Sequence, residues 1–154
     1  MVEVKIGEPF PEFKVENLEG KYENITDLLK GSTTVLVFFV SEWQPYCKAQ
    51  VTDLTFRKDE IEDAGGRVIL VSTDNPDALK RFRDEMGFEF PIYSDQRWIG
   101  WEMLEFKDED ADHYYRPATF VCDAGGVVKW MRIGAHYADR ASYRDVLKAL
   151  KGLK

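Results

Sequence analysis

The chain has 154 residues, enough for one domain spanning 1–154, and its 44% apolar share is ordinary for a globular core. A net charge of −7, with 21 basic residues scattered among 28 acidic ones, excludes a nucleic-acid partner, which needs a concentrated basic surface. The start, Met1 to Lys5, lacks the basic and apolar segments of an export signal, and no apolar run approaches the roughly 20 residues a bilayer requires, so a soluble, cytoplasmic protein with no membrane partner is expected.

Along the chain, Pro11 to Glu19 reads as extended and turning at Gly20, followed by a short helical turn near Thr26 to Leu29. Thr34 to Val40 has no polar face, which predicts a strand covered on both sides. Proline is favoured in a first helical turn, so a helix is expected from Pro45 to about Asp63, where Gly65 and Gly66 stop it. Arg67 to Thr73 is a second buried strand. Asp74-Asn75-Pro76 then caps a helix whose Ala78, Leu79, Phe82 and Met86 form an apolar stripe. Phe90 to Tyr93 is extended, Gln96 to Leu104 helical, and Lys107 to His113 an acidic, solvated loop. The stretch "PATFVCDAGGVVKWMRI" reads as a hairpin turning at Asp123 to Gly126, and a last amphipathic helix from about Arg140 to Leu150 puts Val146, Leu147 and Leu150 on one face. Parallel strands joined by helices, then a hairpin and a closing helix, describe an α/β thioredoxin-like fold, a central mixed sheet flanked by helices.

Two cysteines, Cys47 and Cys122, are too few for a disulfide scaffold, and with only His113 and His136 beside them no metal-ligand cluster is visible; no metal or other cofactor is expected. Cys47 follows a core strand, at the end of the sheet where open α/β folds carry their chemistry. It also falls in the first turn of the predicted helix, where the macrodipole and unpaired N–H groups favour the thiolate. Cys122 alternates with Phe120 and Ala118 in an apolar strand and reads as core. His113 and His136 read as solvated loop residues, and Trp98 and Trp101 as core or a dimer face.

Four segments in order, "IGEPFPEFKVENLEG", "VLVFFVSEWQPYC", "VILVSTDNPDALKRFRDEMGFEFPIYSD" and "RPATFVCDAGGVVKWMRIG", resemble the peroxiredoxins of the alkyl hydroperoxide reductase and thiol-specific antioxidant type, within the thioredoxin-like superfamily. The resemblance covers roughly Val4 to Leu150. It implies that Cys47 is the peroxidatic cysteine, with Gln44 where the family has threonine and Val40 where it has proline. Gln44 would then donate an amide hydrogen bond to the thiolate or the peroxide. The resemblance also implies an arginine on the thiolate; Arg116 stands one residue early for it, with Arg97 and Arg132 as other candidates. Pro117 matches the site-facing proline of thioredoxins, and a cis Arg116-Pro117 bond is expected. Trp43, Pro45, Tyr46 and Pro117 would border the substrate, hydrogen peroxide or an organic hydroperoxide.

The function these readings imply is a one-cysteine thiol peroxidase: a Cys47 sulfenic acid is reduced by an external thiol, from a small molecule or a thioredoxin-like protein. A homodimer is a further expectation from the family. The alternatives on the same scaffold are a monothiol exchanger and a catalytically silent binding domain.

Overall fold

A computed structural model of the chain describes residues 1–108 and 113–153, so most of the expected acidic loop lies outside the described residues. The elements run β1 (Lys14–Glu16), β2 (Tyr22–Asn24), α1 (Ile25–Leu29), β3 (Thr33–Phe38), α2 (Pro45–Phe56), α3 (Lys58–Asp63), β4 (Gly66–Ser72), α4 (Pro76–Met86) and β5 (Ile92–Ser94). They continue with α5 (Ile99–Met103), β6 (Lys107–Asp108), β7 (Tyr114–Tyr115), β8 (Ala118–Cys122), β9 (Val128–Ile133) and α6 (Tyr143–Lys151).

One sheet of order β2-β1-β5-β4-β3-β8-β9 organises the chain, with β6 and β7 paired separately. The middle strands β3, β4 and β5 are parallel, whereas β8 runs antiparallel to β3 with Phe38 opposite Ala118 and Thr34 opposite Cys122. This is the expected thioredoxin-like arrangement.

Side chains on a strand alternate between faces, and here the two faces fill two different cores. Val35, Val37, Phe39, Leu70 and Val121 pack with Cys47, Val51, Leu54, Ile61, Leu79, Phe82, Val146 and Leu150, so α2, α3, α4 and α6 cover one face. Leu36, Phe38, Ile69, Val71, Phe120 and Cys122 pack on the other with Phe10, Phe13, Leu29, Phe106 and Tyr115. Phe38 is the hub of that second layer, with ring centroids 5.0 Å from both Phe106 and Tyr115 and 5.8 Å from Phe10. Burying a side chain of this size contributes about 1.5–3 kcal/mol, so the apolar run Val35 to Phe39 anchors both layers.

Three local differences from the expected elements have physical causes. The segment 14–24 is a hairpin, because β1 finds a second partner in β5 at the sheet edge. The helix from Pro45 breaks at Arg57 (φ −102°, ψ 13°), whose guanidinium lies 4.4 Å over the Tyr143 ring. The last helix begins at Tyr143 rather than Arg140, since Ser142 and Asp145 form a reciprocal capping box that sets its start. That third difference leaves Arg140 in a turn.

Candidate active site

The carboxyl end of β3 is tied to its neighbour before α2 begins. Ser41 Oγ donates to Asp74 Oδ1 (2.8 Å), while the Glu42 N–H (2.9 Å) and Ser72 Oγ (2.8 Å) donate to Oδ2. Three donors on one carboxylate fix the loop that leads into α2. Asp74, read from sequence as part of a helix cap, thus braces the β3–α2 loop.

Helix α2 opens with Gln44 as N-cap and Pro45 at N1, which puts Cys47 at N3. The Gln44 Oε1 accepts from the N–H groups of Tyr46 (2.6 Å) and Cys47 (3.1 Å). The amide oxygen of Gln44 therefore faces the helix start, satisfying two of its open donors, in place of the expected amide donation to the sulfur. Trp43 and Tyr46 are 54% and 49% exposed, whereas Cys47 is fully buried. Trp43 Nε1 donates to the Tyr114 hydroxyl (3.3 Å).

Pro117 immediately precedes the Ala118 that pairs with Phe38, which brings it to the same end of β3 as Cys47. The Arg116-Pro117 bond is trans, contrary to expectation, for no cis bond occurs among the described residues. Here the backbone runs straight into the ladder: the Arg116 N–H donates to the Phe106 carbonyl and the Pro117 carbonyl accepts from Gly134 (both 2.7 Å).

Arg116 does not make the contact expected of it. Alternation in β8 sends Ala118, Phe120 and Cys122 to the face opposite Cys47, and Arg116, two residues before that strand, makes its contact elsewhere. Its Nη2 donates to the Glu105 carbonyl (3.2 Å). Pro117, directly before β8, has no cation to offer. Arg97 lies over the Tyr22 ring, and Arg132 pairs with Asp139.

The guanidinium on the sulfur belongs to Arg140, which sequence reasoning missed. Its Nη2 donates to Cys47 Sγ (3.1 Å), its Nη1 to Gln50 Oε1 (2.9 Å) and its Nε to the Tyr137 carbonyl (2.8 Å). Each part of the planar fork thus has its own acceptor, a geometry lysine could not reproduce. Tyr46 and Tyr137, both about half exposed, meet with ring centroids 5.6 Å apart and join the helix start to the arginine's turn at the surface. The one signal in sequence was a cation shortly before a capping box, Arg140 ahead of Ser142 and Asp145.

Cys122 is buried in the core layer on the other side of the sheet, and burial, with Asp123 adding to it, pushes its thiol up to about 12. It is a packing residue, as read from sequence. His113, expected to be solvated, is instead stacked on Trp98 at 3.5 Å and packed against Trp101 at 4.7 Å. Among the described residues no cluster of His, Cys, Asp and Glu could hold a metal ion, and no helix is long and apolar enough to cross a membrane.

A sequence model of the AhpC/TSA family matches residues 6–131, most of the chain. The chain belongs to the AhpC/TSA family. It is 28% identical over 132 residues to peroxiredoxin Bcp of Escherichia coli, covering 82% of this chain and 83% of that one. It is 29% identical over 113 residues to alkyl hydroperoxide reductase C of Staphylococcus haemolyticus, covering 71% and 59%. Its fold matches peroxidoxin BcpB of Mycobacterium tuberculosis with a TM-score of 0.85 at 20% identity, over 98% of this chain and 99% of that one. Reduced Prx3 of Vibrio vulnificus, solved with hydrogen peroxide, matches at 0.85 and 16%, over 96% and 99%. The family match ends nine residues before Arg140, so this AhpC/TSA member draws its arginine from outside the matched segment.

Proposed function

We propose that the chain is a thiol peroxidase of one-cysteine type, acting on hydrogen peroxide or an organic hydroperoxide. The observation that carries the proposal is the Arg140 guanidinium on Cys47 Sγ at the start of α2, in a member of the AhpC/TSA family. The guanidinium and the helix start both place positive charge beside the sulfur that would act as nucleophile.

In this reading the thiolate attacks the terminal peroxide oxygen. An S–O bond forms as the O–O bond breaks, sulfur is oxidised to the sulfenic acid, and the leaving alkoxide or hydroxide takes a proton to become alcohol or water. Arg140, on the sulfur, stabilises the negative charge that moves to oxygen during transfer. Gln44 and Pro45 support the helix start, Trp43 and Tyr46 border the entrance, and Pro117 closes the site from β8. Arg116 donates to the Glu105 carbonyl and takes no part in this step. The second cysteine, Cys122, lies across the sheet, so an external thiol condenses with the sulfenic acid, releasing water and leaving a mixed disulfide that a second thiol reduces.

The test is stopped-flow thiol loss with equimolar hydrogen peroxide, with mass spectrometry for sulfenic acid, in wild type and Cys47→Ser. Fast loss confined to Cys47 is expected. Oxidation no faster than that of a free thiol refutes the proposal and leaves thiol exchange as the chemistry of the site.

A further inference from the structure

The turn that carries Arg140 has little hydrophobic support, the half-exposed Tyr137 ring against Tyr46 being its aromatic contact with α2. Between Gly134 and Val146 no side chain is buried, so the conformation of residues 135–140 rests on polar contacts. Such segments open at little cost unless hydrogen bonds fasten them.

Two of the bonds that fasten it converge on one carboxylate, one of them tying the turn to the sheet. Asp139 Oδ1 accepts from Arg132 Nη2 on β9, and its Oδ2 accepts from the Ala135 N–H (2.9 Å). The Asp139 N–H in turn donates to the His136 carbonyl (3.0 Å). The turn is closed on itself and bound to the sheet by the residue directly before Arg140. Behind it there is no slack, because a Cβ on Gly134 would overlap the Asp139 carbonyl oxygen and approach the Pro117 carbonyl to 3.2 Å. Gln50 plays a different part: it rises from α2, one turn after Cys47, and orients the guanidinium once the turn has delivered it.

From this geometry we propose that Asp139 is a positioning residue for the Cys47 reaction: its carboxylate clamps the 134–140 turn to Arg132 and Ala135 and so holds Arg140 on the sulfur. The proposal rests on the reading of Arg140 as the group that activates Cys47. The groups that face Asp139 are Arg132 and His136, with Arg140 the next residue in the chain. Position and charge act with opposite sign here. Removing an anion beside two arginines leaves the surroundings of Cys47 more positive, which would speed its reactions. Loss of the clamp withdraws Arg140 and slows them.

The test is a double-mutant cycle of Asp139→Ala with Arg140→Met on the full chain. It is read as the second-order rate of Cys47 alkylation by iodoacetamide, beside peroxide oxidation and the thermal midpoint. With Arg140 present, Asp139→Ala is expected to slow alkylation about fivefold; in the Arg140→Met background the change is less than about twofold. Asp139→Asn, which keeps an oxygen for Ala135 but loses the charge toward Arg132, falls between. Unchanged or faster alkylation in the Asp139→Ala protein, or equal slowing in both backgrounds, overturns the proposal. If Asp139→Ala gives no cooperative melt, Arg132→Met enters the cycle from the other end of the clamp, with the same expectations. Slow wild-type oxidation by peroxide would refute the peroxidase reading alone, for the alkylation cycle still decides whether Asp139 acts through Arg140.

Discussion

Replacing Arg140 by methionine keeps an unbranched side chain of similar reach while removing all three donated hydrogen bonds, to Cys47, Gln50 and the Tyr137 carbonyl. A hydrogen bond to a charged group contributes about 1.5–3 kcal/mol. Arg140 is half-buried rather than enclosed, so solvent screening places the contact near the lower end of that range. At about 1.4 kcal/mol per factor of ten in rate, Arg140→Met is expected to slow Cys47 oxidation roughly ten- to thirtyfold. The assay is stopped-flow thiol loss at neutral pH over a series of peroxide concentrations, with circular dichroism to confirm the fold. Arg140→Lys keeps the charge but not the three-way fork and should recover only part of the rate. Arg116→Met, which loses a bond to Glu105 on the other face, should stay within about twofold of wild type. A fast Arg140→Met protein, or a slow Arg116→Met protein of unchanged stability, would refute the assignment.

Other substitutions probe the supports. Gln44→Ala strips the cap from Tyr46 and Cys47 and should cost about 1 kcal/mol in urea unfolding, with Gln44→Ser restoring most of it. Gly134→Ala forces the turn away from the Asp139 carbonyl; Cys47 oxidation should slow as in Arg140→Met, and an unaltered rate would show that the turn tolerates displacement. Cys122→Ser places a hydroxyl in an apolar layer and should cost about 1–3 kcal/mol while leaving Cys47 oxidation unchanged, and peptide mapping of oxidised wild type should show no Cys47–Cys122 disulfide. The Ala135 N–H and Arg132 hold the Asp139 carboxyl below the usual carboxylate range, so its contribution to stability is present above the unfolded value and is lost as pH falls through the folded one. The stability gap between wild type and Asp139→Asn should therefore be flat from about pH 6 to 8 and close below about pH 4, as followed by urea titration.

Much of the scaffold was legible because its elements announce themselves locally. The run Val35 to Val40 is apolar at every position, Pro45 marks a helix start, and Asn75-Pro76 caps α4 with the Asn75 side chain accepting from Ala78. The β1–β2 hairpin escaped notice because its pattern is short and its stability comes from a distant strand, β5. His113 escaped because only the fold brings Trp98 and Trp101 to either side of it.

At the site, sequence alone determined the thiol. The strand, the proline and the cysteine lie within a few residues, so helix geometry by itself carries Cys47 to the first turn, and strand alternation by itself assigns Cys122 to the core. Only the tertiary structure decided which cation meets the sulfur. That choice depends on the contact that holds Arg116 at the Glu105 carbonyl, and on the capping box at Ser142, which keeps Arg140 out of the last helix. Arg140 and Cys47 are 93 residues apart in the chain, and no local periodicity encodes a contact over that separation. It forms because β9 and α6 pack on the sheet and the turn between them, clamped by Asp139, has one place to put its arginine.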